Sequence, residues 1–354
     1  MQILRKRRIL GRRPGYAVLL LLTAVWVFVA PAFIPAAAGA DDRYDYGCDL
    51  SNKMRAFFKL RKQLELVVLG DSRAMQGVDS QFFYTQPDKG ARPFYTNEDY
   101  PIAFNLAVQS CGLDFNLIMV QDYLPHMPKL KWVLYGISPR LFNRFWGSGI
   151  GGRLRSSPGY QYDISHGQRI WSAPAPRMVR VTDLRGITNK NISPWGFMPR
   201  RGEFRNTSDR NAQDRMRRAV AGGRFELSEG RVAEFEQIIR KLADQNVRIL
   251  AFTPPMHYYL ALADCADDDG TTNAGYWTLM ARLRALEKKY PNYFFYDIHQ
   301  NGKNEFRDEH FADFDHLNEL GAEKLARTLD FFRSQREGMP GNQHATSATT
   351  RAAH

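Results

Sequence analysis

The sequence has few of the residues that hold metals, cofactors or disulfide frameworks. Its 354 residues include only three cysteines, Cys48, Cys111 and Cys265, and their spacing matches no zinc-binding pattern. Because three is an odd number, at most one disulfide can form, and we expect structural or inert cysteines. A glycine-rich loop of the kind that cradles phosphate groups is also missing. We therefore predict no metal and no cofactor.

Acidic residues are outnumbered by basic ones, and the net charge is +12 at pH 7. An excess of this size is typical of nucleic-acid-binding proteins. Six of the basic residues, however, lie between positions 5 and 13, which leaves +6 for the rest of the chain. Since the excess is concentrated at one end, we do not expect a nucleic-acid partner.

The basic N-terminus precedes an uncharged stretch, residues 14–40, with an apolar centre from Tyr16 to Ile34. Positive residues followed by a long apolar run target a chain to the membrane with its N-terminus in the cytoplasm. The run is long enough for an uncleaved anchor, whereas the alanine-rich residues 36–40 are typical of a signal-peptide cleavage site. With either outcome, we expect the body in the cell envelope, on the periplasmic or extracytoplasmic side, membrane-anchored or secreted.

The body of the chain begins with a strand pattern that ends in a serine. Residues 64–69 form a leucine and valine run typical of a buried parallel strand, and Gly70, Asp71 and Ser72 follow it. Ligands bind at the carboxyl ends of parallel strands, where the next helix directs its unpaired N–H groups. A hydroxyl there can attack a carbonyl carbon while backbone N–H groups hold the oxyanion. The simpler interpretation is that Asp71 or Ser72 only caps a helix.

A base and its orienting acid come near the other end of the chain. Asp313 and His316 lie three residues apart, just before a helix pattern. A serine nucleophile needs a base, and a histidine base needs a carboxylate that fixes its tautomer and stabilises its protonated form. Asp297 and His299 form a rival pair, but they lie in a polar turn well before that helix. We therefore favour Asp313 and His316.

Together, the Gly-Asp-Ser block and the Asp-x-x-His block resemble the SGNH (GDSL-type) hydrolase superfamily. The Gly-Asp-Ser-Arg sequence at residues 70–73, the leader and the HLN-x-x-GA ending at residues 316–322 are most similar to its membrane-associated branch. That branch includes the D-alanine transfer protein of teichoic acids and the alginate O-acetylation proteins. The similarity consists of short blocks spread over residues 64–333.

The resemblance implies a serine esterase or O-acyltransferase that acts on an acylated cell-envelope polysaccharide or another ester. Ser72, His316 and Asp313 would form the triad, and a membrane-bound acyltransferase is a candidate partner. The resemblance also implies an oxyanion hole formed by the Ser72 N–H and by a residue after the second predicted strand, where Ser110 and Gly112 are both candidates.

The block after the third predicted strand departs from the family pattern. Ser138 stands where relatives with full activity commonly have an asparagine that holds the oxyanion. We keep Ser138 as an oxyanion-hole candidate, but the change weakens the expectation of strong general esterase activity. It favours an alternative, a catalytically weak or inactive envelope protein of the same fold that binds glycan or an assembly partner.

Arg73 and His257 are candidate substrate contacts, because each follows a predicted strand at the same carboxyl edge. Arg73 either binds an anionic substrate group or pairs with a neighbouring acid. His257 either contacts substrate or is a hydrogen-bonded loop histidine.

Residues 140–223 interrupt the alternation of strands and helices and predict a lid or small insertion. Its arginine and aromatic residues suit a sugar-stacking groove, or else the segment only packs.

Five strand patterns alternating with helix patterns predict a three-layer αβα sandwich with a mostly parallel five-stranded sheet, of the SGNH or flavodoxin-like kind. We place a linker at residues 41–63, the hydrolase domain at 64–335 and a disordered tail at 336–354.

Residues 70–74 also fit a relaxed nucleophile elbow of the α/β-hydrolase fold. That fold normally places its elbow after several strands, whereas this one ends the first strand of the body.

Overall fold

The computed structural model describes much of the chain after the predicted leader. The described residues are 44–47, 50–83, 99–145, 150–173, 178–184, 187, 191–202, 204, 225–257 and 274–337. The predicted leader, Cys48, Cys265 and the predicted tail from residue 338 lie outside them. Within these ranges, no helix combines the length and the apolar character needed to span a bilayer.

One five-stranded parallel sheet organises the described residues and confirms the predicted fold class. The order across the sheet is β2-β1-β3-β4-β5, and every neighbouring pair is parallel. From β1 the chain adds β2 on one side, and it then adds β3, β4 and β5 on the other side. The boundary between β1 and β3 is therefore a topological switch point, where a crevice opens at the carboxyl ends of the strands. The strands are β1 (Leu66–Leu69), β2 (Ala103–Asn105), β3 (Trp132–Gly136), β4 (Arg248–Thr253) and β5 (Tyr293–Asp297).

Both faces of the sheet are covered, which gives the three layers. Alternate residues of β1 enter two separate apolar cores, with Val67 and Leu69 in one and Leu66 and Val68 in the other. Helices α1, α3, α6 and α7 contribute to the first core, and α2 and α8 to the second. The α-helices found in the described ranges are α1 (Leu50–Leu60), α2 (Ser72–Gly77), α3 (Leu113–Ile118), α4 (Ile150–Ser156), α5 (Pro158–Ser172), α6 (Glu229–Asp244), α7 (Ala274–Lys289) and α8 (Glu319–Glu337).

Two boundaries differ from the predicted ones. Residues 50–60, predicted as part of a linker, form α1, and Met54, Phe57 and Leu60 of that helix are buried in the first core. Within that linker the sequence also indicates a basic amphipathic turn at residues 52–62, and the structure has a helix there that begins at Leu50. At the other end, α8 continues to Glu337, two residues into the predicted tail.

The turn after β1 is closely packed against β3. Gly70 has a φ of +138°, in the region that favours glycine. A Cβ atom on Gly70 would lie 2.7 Å from the Cβ of Ala74 and 2.8 Å from the carbonyl oxygen of Gly136. The small residues at positions 70, 74 and 136 therefore let the start of α2 sit directly on the switch point.

We expect Gly70→Ala to lower the free energy of unfolding by about 2 kcal/mol or more, because it adds backbone strain and a steric clash. Gly152→Ala is the control, since Gly152 lies exposed in α4 with nothing within 4 Å of its Cβ position. That change should stabilise the protein by roughly 0.5–1 kcal/mol. Urea unfolding measures both, and a Gly70→Ala protein as stable as the wild type would contradict the packing argument.

Candidate active site

Ser72 is the first residue of α2 and lies at the carboxyl end of β1. Asp71 caps the helix, because its side chain accepts a hydrogen bond from the N–H of Arg73 at 3.0 Å. The simpler interpretation of the Gly-Asp-Ser turn, a helix cap, is therefore correct for Asp71. It leaves the hydroxyl of Ser72 available for another contact.

Ser72, His316 and Asp313 form one hydrogen-bonded chain. The Oγ of Ser72 lies 3.1 Å from Nε2 of His316. The Nδ1 atom of His316 lies 3.0 Å from Oδ1 and 3.1 Å from Oδ2 of Asp313. With Nδ1–H donating to the carboxylate, Nε2 is the acceptor that faces the serine hydroxyl. The three residues therefore have the geometry of a nucleophile, a base and an orienting acid.

The turn at residues 313–316 holds the acid in place. The Oδ1 atom of Asp313 also accepts the backbone N–H groups of Asp315 and His316, each at 2.8 Å. Burial alone would raise the pKa of Asp313. The hydrogen bond from His316, its charge when protonated, the backbone N–H of Asp315 and the nearby Arg200 outweigh burial and lower the pKa. Asp313 is therefore a stable carboxylate beside the imidazole.

Arg73 lies in a buried ion pair rather than at an open surface. Its Nε atom is 2.5 Å from Oδ1 of Asp315, and only 1% of its side chain is exposed. This position corrects the prediction of Arg73 as a substrate contact and agrees with the structural alternative. The pair links the residue after the nucleophile to the residue before the base.

Arg140, which sequence reasoning did not single out, lies between the same two segments. Its Nη2 atom is 3.5 Å from Oδ2 of Asp71 and 3.8 Å from Oδ2 of Asp315. Burial would raise the pKa of Asp315, but Arg73, Arg140 and His316 when protonated lower it to about 2. No local pattern marks Arg140 or Asp315, because their partners are distant in sequence.

Ser138 lies at the site but does not direct its hydroxyl toward the oxyanion position. It is fully buried, and its Oγ donates to Oδ2 of Asp71 at 2.6 Å. The only hydrogen-bond donor of the Ser138 side chain is thus used by the helix-capping carboxylate. The prediction of Ser138 as an oxyanion donor does not fit this geometry, and Ser138 instead supports the Asp71 cap.

The turn after β2 lies against the nucleophile turn and keeps both predicted oxyanion candidates nearby. The thiol of Cys111 donates to the carbonyl of Gly70 at 2.7 Å, and Ser110 and Gly112 flank it in sequence. Ser110 is exposed with a φ of +56°, whereas Gly112 is buried and precedes α3. Burial raises the pKa of the Cys111 thiol well above its ordinary value, which fits the predicted inert role.

Two buried polar side chains fix the end of β2 relative to the neighbouring helices. The side-chain amide of Asn105 donates to the carbonyls of Ala74 at 2.9 Å and Val78 at 2.8 Å. The ammonium of Lys53, in α1, donates to the carbonyls of Asn105 at 3.1 Å and Ala107 at 2.6 Å. These contacts connect α1, β2 and α2 around the site, and sequence reasoning assigned neither residue.

His257 is a buried structural histidine, which corrects its predicted role as a substrate contact. Only 1% of the residue is exposed, and Nε2 lies 2.9 Å from Oδ1 of Asp308. The imidazole packs edge-on with Phe204 and Phe311, with ring centres 5.0 and 5.4 Å away. The position after β4 was predicted correctly, but the aromatic rings cover it.

The rival pair lies at another strand. Asp297 ends β5, and its Oδ1 accepts hydrogen bonds from the hydroxyls of Thr253 at 2.8 Å and Tyr276 at 2.7 Å. Strands β3 and β4 separate β5 from β1, which carries Ser72. Asp297 therefore belongs to a structural network at the sheet edge.

The described aromatic residues of the insertion mostly pack against the domain. Trp171 stacks on Phe58, with ring centres 5.4 Å apart, and on His126, with ring centres 4.2 Å apart. Tyr160 donates its hydroxyl to Asp122 at 2.8 Å. These rings support the packing alternative rather than a sugar-stacking groove, because a sugar needs an open ring face.

No protein-family model matches the chain, and no characterised protein matches its sequence. The described ranges also contain no group of three or more histidine, cysteine, aspartate or glutamate side chains arranged to hold a metal ion. Interpretation of the site therefore depends on its residues and their geometry.

We expect the Asp315 carboxylate to make stability depend on pH in the acid range. Its pKa of about 2 in the folded state lies below the ordinary value of 3.8, so its contribution is present above pH 4 and is lost as the pH falls toward 2. The shift corresponds to about 2 kcal/mol. Asp315→Asn should remove this pH dependence and lower stability at pH 7 by about 3 kcal/mol, because Arg73 loses the carboxylate it faces.

Urea unfolding between pH 7 and pH 2 measures both effects. Asp244→Asn is the control, because Asp244 is exposed at the end of α6 and should change stability by less than about 0.5 kcal/mol. Equal effects of the two substitutions would show that the Arg73–Asp315 pair has no special importance.

Proposed function

We propose that the chain is an exported serine acyl hydrolase or O-acyltransferase that acts on ester-linked acyl groups, most favourably those of cell-envelope polysaccharide. The observation that carries the proposal is the hydrogen-bonded chain from Ser72 through His316 to Asp313 at the switch point of the sheet. The basic and apolar N-terminus supports export, and the SGNH-like blocks support the substrate class. A membrane-bound acyltransferase is the partner that such a transferase would need.

In the proposed cycle, His316 acts first as a base. Its Nε2 takes the hydroxyl proton of Ser72 while Oγ attacks the ester carbonyl carbon, and Asp313 stabilises the imidazolium that forms. Backbone N–H groups, from Ser72 and from the turn at Ser110 to Gly112, hold the oxyanion, each contributing roughly 10²- to 10³-fold. His316 then gives the proton to the leaving alcohol, and an acyl-serine remains.

The second half of the cycle determines whether the protein hydrolyses or transfers. His316, again neutral, takes a proton from the attacking group as that group adds to the acyl-serine carbonyl. Water gives a carboxylic acid, and a sugar hydroxyl gives a new ester. Collapse of the oxyanion releases Ser72, which recovers its proton from His316.

The charges around the site fit this cycle. Three aspartates (Asp71, Asp313, Asp315) and three arginines (Arg73, Arg140, Arg200) pair with one another around Ser72 and His316. The formal charges balance while His316 is neutral, so the resting site has no large net charge. Asp313 is the group directly placed to stabilise the positive charge that appears on His316 during the reaction.

We expect a fluorophosphonate probe to label Ser72, because the probe reacts with a serine hydroxyl that a neighbouring base activates. Ser72→Ala should abolish labelling, His316→Ala should reduce its rate by roughly 10³-fold or more, and Asp313→Asn by a similar factor. In-gel fluorescence and peptide mass spectrometry measure the rate and the labelled residue.

Ser156→Ala and His166→Ala are matched controls, since both residues are exposed on α4 and α5. Both variants should label like the wild type. Labelling of Ser72→Ala at any rate, or labelling of His316→Ala at the wild-type rate, would contradict the proposed mechanism.

The Ser138 contact favours one second candidate, a catalytically weak or inactive protein of this fold that binds glycan. The hydroxyl of Ser138 donates to Asp71 and is therefore not offered to an oxyanion. This candidate predicts that Ser72→Ala still binds acylated polysaccharide and that the wild type releases no acid from any model ester. Release of acetate from an acetylated glycan by the wild type, but not by Ser72→Ala, would exclude it.

A further inference from the structure

A segment of the insertion, residues 191–202 and 204, contacts all three parts of the candidate active site. We name it the crossing segment. It meets β2 where the N–H of Asn105 donates to the carbonyl of Trp195 at 2.8 Å, and α2 where the N–H of Met198 donates to the carbonyl of Met75 at 3.3 Å. It also meets the chain two residues before the turn at residues 313–316, which we call the catalytic turn, where the N–H of Phe204 donates to the carbonyl of Phe311 at 2.9 Å.

The close approach of the crossing segment to β2 depends on Gly196. This residue has a φ of +74°, and a Cβ atom on it would lie 2.3 Å from the carbonyl oxygen of Asn105. At the other end, the side-chain amide of Asn318 donates to the carbonyl of Gly202 at 3.1 Å. The segment is therefore held at Gly196 by close packing against β2 and at Gly202 by the Asn318 side chain, and Arg200 lies between these two contacts.

Arg200, in the middle of the crossing segment, reaches the acid of the triad. Its Nη1 atom forms an ion pair and a hydrogen bond with Oδ2 of Asp313. The other carboxylate oxygen, Oδ1, already accepts N–H groups from Asp315 and His316. Arg200 thus binds Oδ2, which accepts fewer hydrogen bonds from the turn than Oδ1 does. Together these contacts fix the orientation of the carboxylate.

We propose that Arg200 is a positioning residue of the active site, through which the insertion controls how strongly Asp313 acts on His316. The inference rests on the proposed function in one respect, that His316 is the base. The guanidinium of Arg200 and the imidazole of His316 both contact Oδ2 of Asp313.

The expected effect follows from charge. Asp313 favours the protonated form of His316, and a positive group on the same carboxylate reduces that effect. The other charged groups around His316 stay constant when Arg200 is changed, and they come from each neighbouring element. They are Asp71 and Arg73 at the start of α2, Arg140 after β3, Asp315 in the catalytic turn, and Glu319 of α8 with its partner Arg201.

The test is a titration of His316 in the full chain, with ¹⁵N-labelled histidine and nuclear magnetic resonance. The protein has eight histidines, and a His316→Gln spectrum assigns the signal. We expect the His316 signal of Arg200→Gln to titrate at higher pH than that of the wild type, because the substitution removes one positive charge from the carboxylate. Arg200→Lys keeps the charge and should remain close to the wild type.

Arg201→Gln is the matched control. It removes the same charge from the next residue, whose side chain is 89% exposed and lies 3.7 Å from Glu319 rather than at Asp313. An unchanged midpoint in Arg200→Gln, or an equal shift in Arg201→Gln, would overturn the proposal. Arg200→Lys also guards against misfolding, since a lysine variant that unfolds would show the signals of free histidine instead of a titration near the wild-type midpoint.

The same samples separate this inference from the proposed function. Fluorophosphonate labelling of the wild type tests whether Ser72 is a nucleophile, and the titration tests whether Arg200 acts on His316. A shifted midpoint without labelling would contradict the proposed enzymatic function but support the effect of Arg200 on His316. Labelling with an unshifted midpoint would remove only the role of Arg200.

Discussion

The buried ion pair between Arg73 and Asp315 is the interaction on which the candidate active site depends most. These residues are 242 positions apart in sequence, yet each is next to a residue of the triad. A buried pair of opposite charges contributes little net stability when it is intact, but removal of one member is strongly destabilising. Such a pair therefore favours one arrangement of its two segments over all others. The result is that Ser72 and His316 meet within hydrogen-bond distance.

The surrounding contacts also hold distant segments together, but through weaker interactions. Arg140 lies between Asp71 and Asp315, Ser138 donates to Asp71, and the thiol of Cys111 donates to Gly70. Each connects the carboxyl end of one strand to that of another. A site built from three strand ends and one distant turn needs these contacts, because Ser72 lies on a different element from Asp313 and His316. The polar residues around the serine are therefore mainly structural.

Sequence patterns predicted the elements that depend on local order. The apolar runs located all five strands, and the parallel arrangement followed from the helices between them. The proximity of Ser72 to Asp313 and His316 was predictable, because each of the two blocks is short and the carboxyl ends of parallel strands share one edge. Long-range pairings were not predictable. The partner of Arg73, the use of Ser138 by Asp71 and the contact of Arg200 with Asp313 all join residues from different blocks, and no spacing within one block indicates them. His257 was placed at the correct edge, but its aromatic cover comes from Phe204 and Phe311, which are distant in sequence.

The proposed reaction requires an open position where a carbonyl can reach Ser72 and where backbone N–H groups can hold its oxygen. The most direct test is a crystal structure of the protein after reaction with a small organophosphate, because the phosphoryl oxygen takes the place of the oxyanion. We predict a covalent bond between phosphorus and Oγ of Ser72, with the phosphoryl oxygen about 3 Å from the N–H of Ser72 and from an N–H of the turn at Ser110 to Gly112. A structure with no bond at Ser72, or with the phosphoryl oxygen directed away from both N–H groups, would contradict it.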